Sequence, residues 1–373
     1  MLVSSAVTIR SALIAVSLFI ICDGTLRAQT TAFETMGGEQ LYRAACAACH
    51  GPDGKGQPQS VVGFDVAIPD FTDCSFSTPE PDSDWLAVSH DGGPARAFDR
   101  RMPAFGQLLS GDALTRTIDY VRDFCRNDAW PRGELNLPRP LVTEKAFPEN
   151  ETVLSVSVAG GESAAVGHKL IYERRVGPRS QLELVVPVDV EKSGGTWQRG
   201  LGDAAVAMKH ALFHSRDRGT IFSVAGEMVF PTGKENVGLG KGVTIFEPFV
   251  ALGQILPADG FVQLQLGAEL PFDTAKAAKE TFVRAAIGKS FVEGRFGRTW
   301  SPMVEFVGAR ELLEGEETQW DFVPQMQVTL SKRQHIMVSA GLRAPLTNRS
   351  ARNVQLLAYF LWDWFDGGLL DGW

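Results

Sequence analysis

The sequence lacks several features that would have placed it quickly. The apolar run from Ala12 to Cys22 falls short of the roughly 20 residues an ordinary helix needs to cross a bilayer. Basic residues are scattered rather than clustered and the net charge is −8, which excludes a nucleic-acid surface. The Walker spacing is missing: Gly233-Lys234 and Gly238-Leu239-Gly240-Lys241-Gly242 have no helix after them and read as turns between strands. No Ser/His/Asp constellation has an identifiable setting. Cysteine is scarce, with five in 373 residues, so each one needs a reason.

Two of the five sit in Cys46-Ala47-Ala48-Cys49-His50, a C-x-x-C-H run, the attachment signature of c-type haem. The spacing lets both thiols reach one edge of a porphyrin, and His50 is then placed to ligate iron from one face. A partner follows in Arg101-Met102-Pro103-Ala104-Phe105-Gly106, where Met102 offers a thioether that favours reduced iron. With Gly38-Glu39-Gln40-Leu41-Tyr42 before the cysteines and Gly51-Pro52-Asp53-Gly54-Lys55-Gly56 after them, residues 33 to 128 resemble the small single-haem cytochrome c family. The resemblance implies one covalent haem c, attached through Cys46 and Cys49, with His50 and Met102 as axial ligands. It implies an electron carrier rather than a catalyst, with a redox protein or small redox molecule as partner. His90, beside Gly92-Gly93-Pro94, is the competing sixth ligand, and an open sixth position would mean oxidase- or peroxidase-like chemistry.

Residues 1–28 have the shape of a secretory signal: Arg10, the apolar run, and a cleavage point after Leu26-Arg27-Ala28. An uncleaved anchor is the alternative, and a lipoprotein site at Cys22 is disfavoured because Ile21 is not small. Export leaves Cys74 and Cys125 as an even pair in a compartment that permits disulfides; the alternative is two separate buried thiols.

In the haem domain, residues 29–128, helices are expected over 36–48, from Ser83-Asp84 to residue 90, and over 111–126. Leu114, Ile118, Val121 and Phe124/Cys125 form the inward stripe of the last one. Residues 51–83 read as irregular loop, with Phe64, Phe71 and Phe76 as apolar cover. Residues 129–150, with Pro131, Pro138, Pro140 and Pro148, read as an extended linker.

From residue 151 the period changes to two. Leu182, Leu184, Val186, Val188 and Val190 oppose Gln181, Glu183 and Asp189; Val262, Leu264, Leu266, Ala268, Leu270 and Phe272 oppose Gln263, Gln265 and Glu269; Phe322, Met326, Val328 and Leu330 oppose Gln325, Gln327, Thr329 and Ser331. About twelve such strands begin near residues 151, 164, 180, 203, 219, 243, 260, 281, 299, 319, 334 and 353. Many are near the length a tilted strand needs to span a bilayer, and the near-zero mean hydropathy suits an oily outside around a polar lumen. Trp300, Trp320, Tyr359, Trp362 and Trp364 are candidate belt residues. Gly200 to Lys209 and Phe230-Pro231-Thr232-Gly233-Lys234 resemble the outer-membrane channel proteins linked to aromatic-degradation operons.

The expectation is therefore a multidomain chain, an all-α cytochrome c domain followed by an all-β antiparallel barrel over 151–373. It is exported and embedded in outer-membrane lipid with the haem domain in the periplasm. The alternatives are a solute channel gated, plugged or redox-sensed by the haem domain, and a soluble periplasmic haem protein with a β-sandwich or β-barrel binding domain. His210 and His214, four apart on a strand, would share a face about 13 Å apart, too far for one metal. Glu311, Glu314, Glu316 and Glu317 read as a solvated loop. Replacing Cys46 and Cys49 together by alanine is expected to abolish the haem-stained band on a denaturing gel while the polypeptide band persists; retained stain would refute the attachment.

Overall fold

The computed structural model describes residues 33–373, apart from 162, 163, 194 and 366, so the expected signal segment and Cys22 lie outside the described residues. The chain divides into two compact units: a helical one that ends at Arg126, and one from Asn127 to Trp373 that also takes in Thr78–Pro81 and Ala95–Phe98.

In the helical unit, α1 (Gly38–Ala45) is followed after Cys46 by α2 (Ala47–His50). Short turns α3 (Gln59–Val62) and α4 (Cys74–Ser77) punctuate the expected loop, and α5 (Asp82–Asp91) and α6 (Gly111–Arg122) complete it. The expected single helix over 36–48 is thus two pieces broken at Cys46, and the last helix stops four residues early. Ser110 caps α6, its side chain accepting from the Ala113 amide at 3.2 Å. Helices α1 and α6 pack closely because residue 38 is glycine: a Cβ there would lie 2.1 Å from the Arg116 carbonyl oxygen. Leu41, Leu109, Ala113 and Leu114 form one core, and Tyr42, Phe71 and Val121 another. Buried Arg122 pairs with Asp82 at 2.8 Å, donates to the Ser77 carbonyl and lies 4.4 Å over the Trp85 ring, tying α4, α5 and α6 together.

The second unit is a closed antiparallel barrel. Its strands are β1 (Glu151–Ala159), β2 (Ala165–Val176), β3 (Ser180–Ser193), β5 (Ala205–Ser215), β6 (Thr220–Val229), β7 (Ile245–Leu256), β8 (Gly260–Pro271), β9 (Glu280–Lys289), β11 (Thr299–Glu311), β12 (Gln319–Thr329), β13 (Ile336–Pro345) and β14 (Gln355–Asp363). Each pairs with the next along the chain, and β14 pairs with β1 from Glu151↔Asp363 to Ala159↔Gln355 to close the ring of twelve. Two short strands, β4 (Thr196–Leu201) and β10 (Phe291–Val292), extend β3 and β11. Closure leaves no free sheet edge, the condition for crossing lipid with strands. Connections are short at the end where β1 begins and β14 stops (177–179, 216–219, 257–259, 290–298, 330–335) and mostly longer at the other (160–164, 194–204, 230–244, 272–279, 312–318, 346–354).

The two faces are inverted relative to a water-soluble barrel. Outward residues are apolar and exposed, Leu182, Met208, Leu266, Phe306 and Leu356 among them at 43–54%. Inward residues are buried yet polar: Lys209, Ser223, Gln263, Ser301, Glu305 and Gln325. Such a surface is stable only where the outside meets lipid. Trp300 is exposed, and Trp320 and Trp362 share the outward parity. Trp364 lies past β14 and stacks on outward Tyr172, ring centroids 5.8 Å apart. Tyr359 is not a belt residue: it is buried on the inward face, and its hydroxyl donates to the Arg139 carbonyl at 2.7 Å.

The segment expected as a linker fills the lumen. Leu135, Ala146 and Phe147 pack with inward Ala211, Ile221 and Ala251, and Leu137 packs with Phe261 and Met303. Inward side chains from around the ring hold its backbone. Gln263 donates to the Pro138 carbonyl, Lys209 to the Lys145 carbonyl and Ser223 to the Ala146 carbonyl; Gln265 accepts from the Glu144 amide and Gln181 from the Glu149 amide. Residues 133–149 therefore form a loop that rises from the short-turn end and returns to it at β1. Proline content signalled an extended chain correctly, but a closed barrel supplied the partners that a linker would have taken from water. Its charges are paired: Arg139 meets Glu151 at 2.6 Å and Glu173 at 2.7 Å, and Lys145 meets Glu149 at 2.5 Å.

A β-bulge in β5 between Ala211 and Phe213 corrects the reading of the two histidines. His214 pairs with inward Ile221, whereas His210 pairs with Val224 and shares the outward parity of Met208. They stand on opposite faces, so a shared metal is excluded more firmly than by distance.

Leu266→Arg, on the outward face in mid-strand, is expected to cost about 2–4 kcal/mol in lipid. Reversible urea unfolding in detergent–lipid micelles would read this, and an unchanged midpoint would place that face in water.

Candidate haem-binding site

Helix α1 delivers the two free thiols. The Cys46 amide donates to the Tyr42 carbonyl and the His50 amide to the Cys46 carbonyl at 2.9 Å, so Cys46, Cys49 and His50 occupy one tight turn. Tyr42, fully buried, pins its end: the hydroxyl donates to the Gly51 carbonyl at 2.6 Å, with the His50 carbonyl at 3.3 Å. Burial, reinforced by the Cys46 thiol, pushes the Tyr42 phenol far above its usual range, so it stays a donor. Tyr42 was part of the legible motif, but its role required the fold.

The His50 ring stacks on Phe71 with centroids 4.7 Å apart, and its Nδ1 is buried without a hydrogen-bond partner. Burial pushes its pKa down to about 4, so at neutral pH the imidazole carries a free lone pair, the form that ligates metal. Burial also pushes the Cys46 thiol up to about 11. A buried, neutral and uncommitted imidazole directly after two free thiols fits a covalently attached haem, with Cys46 and Cys49 as anchors and His50 as a ligand. Of the three phenylalanines expected as cover, Phe71 is buried here, Phe64 lies under the Arg101 guanidinium at 5.2 Å and Phe76 is partly exposed, edge-on to Trp85.

Met102 is held by its backbone. Its amide donates to the Asp99 carbonyl at 3.2 Å and its carbonyl accepts from Gly93 at 3.0 Å. Arg101 bonds Asp65, bracing the loop from the side; that hydrogen bond lowers the Asp65 pKa. His90 is the last residue but one of α5. Its Nδ1 meets Asp91 at 2.6 Å, and its ring fills the space a Cβ on Gly106 would need, about 2.4 Å away. Cys74 and Cys125 are bonded to one another, with Cα atoms 5.3 Å apart, joining α4 to the chain after α6.

Residues 33–121 match the family model described as cytochrome C oxidase, cbb3-type, subunit III. These residues form a cytochrome c domain. No curated protein matches the chain. Among solved structures the barrel is similar to an outer membrane channel from Pseudomonas putida F1, at 11% identity and TM-score 0.43, covering 61% of this chain and 99% of that one. It is also similar to the NanC porin, at 9% identity and TM-score 0.40, covering 57% and 98%.

Within the cytochrome c domain the disulfide spans 51 residues. Cys74→Ser with Cys125→Ser is expected to lower stability by about 2–4 kcal/mol, read as a reduced denaturant midpoint for the unfolding shift of the haem Soret band; an unchanged midpoint would show that packing alone holds α4.

Proposed function

We propose that this chain is an exported c-type cytochrome that transfers single electrons on the periplasmic side of the outer membrane and is held there by its own barrel. The reading rests on buried, uncommitted His50 directly following Cys46 and Cys49 within a cytochrome c domain. One haem, bonded to both thiols, would supply the Fe(II)/Fe(III) couple. Tyr42 and Phe71 fix the His50 backbone and ring, while Arg101 and Asp65 brace the loop that offers Met102 as second ligand. His90, engaged by Asp91 and packed on Gly106, serves that loop's structure. A thioether and an imidazole together on the iron would raise the potential and suit a carrier rather than an oxygen-activating centre.

The barrel supports an anchoring role, since its outward face is apolar and its lumen is filled by residues 133–149. The short-turn end, where both barrel termini emerge, faces the periplasm in this reading. The partner is a redox protein or a small diffusible redox molecule, because one haem is too small to conduct across a membrane.

Fractionation with haem staining tests the proposal. The expected result is an outer-membrane band that stains for haem and shifts on boiling; a soluble periplasmic band would end the anchoring reading. Met102→Ala is expected to keep the stain, lower the midpoint potential and let the reduced protein bind carbon monoxide. An unchanged potential would remove Met102 from the iron.

A further inference from the structure

Residues 137–149 make no backbone–backbone hydrogen bond among the described residues. Beyond the single 3-10 turn at Gly133–Leu135, the lumen loop therefore keeps its place through the wall. Its two ends and its crown are held differently. The ends are anchored by apolar packing of Leu135, Leu137 and Phe147. At the crown Leu141 packs against Val153, Tyr359 and Leu361, and polar groups hold the backbone, with one wall residue dominating. Glu305 of β11, fully buried, accepts at Oε1 from the Leu141 amide at 2.9 Å and the Val142 amide at 3.1 Å. At Oε2 it accepts from the Thr143 amide and hydroxyl, both at 2.6 Å. Gln325 donates to the same carboxylate at 2.5 Å and accepts from the Leu141 amide at 3.0 Å.

A second observation concerns the wall. Inward glutamates stand directly opposite one another across neighbouring strands: Glu173↔Glu183, Glu227↔Glu247, Glu269↔Glu280 and Glu280↔Glu311. Ala207 is the step between Glu183 and Glu227, and Glu247 and Glu269 follow the register set by Phe246↔Leu270. Like charges directly opposed weaken a sheet; Arg139 at 2.7 Å from Glu173 and Lys241 at 2.8 Å from Glu269 offset part of that cost in this row. The row has a use when the lumen carries cations.

We propose that residues 133–149 are a releasable plug, that Glu305 is its latch, and that release opens the barrel to small cations. The apolar ends act as hinges, and the crown swings away once its acceptor is lost. This goes beyond the electron-transfer reading and does not depend on it: haem staining and potential report on one, ion current on the other.

The test uses the purified full chain in planar lipid bilayers bathed in potassium chloride. Wild type is expected to be mostly closed. Glu305→Ala removes the acceptor of three amides and a hydroxyl and is expected to raise the open-to-closed ratio by about tenfold or more; Glu305→Gln, which keeps part of the acceptor, is expected to raise it less. Under a salt gradient the open state should favour potassium over chloride. Val142→Cys preserves the latch amide, and a membrane-impermeant maleimide should label it readily only when Glu305→Ala is also present. Folding of every variant is checked by the heat-modifiable band, and Glu305→Gln serves if Glu305→Ala does not fold. A folded Glu305 variant that conducts no more than wild type, or equal labelling in both backgrounds, overturns the latch. A current selective for chloride overturns the cation pathway.

Discussion

A stretch of chain without secondary structure can be buried only if other groups satisfy its backbone, because each unpaired buried amide or carbonyl costs about 1–3 kcal/mol. The barrel is organised around that constraint. Its inward face carries Gln181, Lys209, Ser223, Gln263, Gln265, Glu305 and Gln325 at the heights where the lumen loop needs donors or acceptors. Wall and loop are complementary: the wall without the loop exposes a polar channel, and the loop without the wall has no structure to adopt. The charges obey the same logic. Arg139 is tolerable in the interior because Glu151 and Glu173 both reach the same guanidinium nitrogen.

The haem-binding unit solves a smaller version of the problem. A short C-x-x-C-H turn cannot orient a histidine by itself. Orientation comes from Tyr42 beneath the turn, Phe71 against the ring and the close crossing of α1 and α6 at Gly38. The loop carrying Met102 is braced by Arg101 with Asp65 and by the Gly93 amide. The motif residues supply the chemistry and their neighbours supply the geometry.

One chain thus combines a cytochrome c domain with a porin-like barrel, and each makes sense of a different part of the composition. Four of the five cysteines belong to the cytochrome c domain, two free in the C-x-x-C-H turn and two in a disulfide. The exposed leucines, methionines and valines of the second unit form the belt of the barrel. Their alternation with polar residues produced the near-zero mean hydropathy that hid a membrane protein from a simple average.

Local chemistry was legible in the sequence because it depends on spacing. Two cysteines and a histidine in one turn announce their purpose, and strict alternation of apolar and polar residues marks strands, their faces and nearly all of their starting points. Properties set by residues far apart were not legible. The bulge at Ala211 reverses the facing of His214, and no pattern around it gives warning. Tyr359 looks like a belt aromatic until its register with β1 turns it inward. The prolines of 129–150 mark extended chain whether it crosses water or a lumen. The choice between these was made by Glu305 and Gln325, more than 160 positions away from Leu141 in the chain. Periodicity specifies which way a side chain points, but only closure of the ring specifies what it meets there.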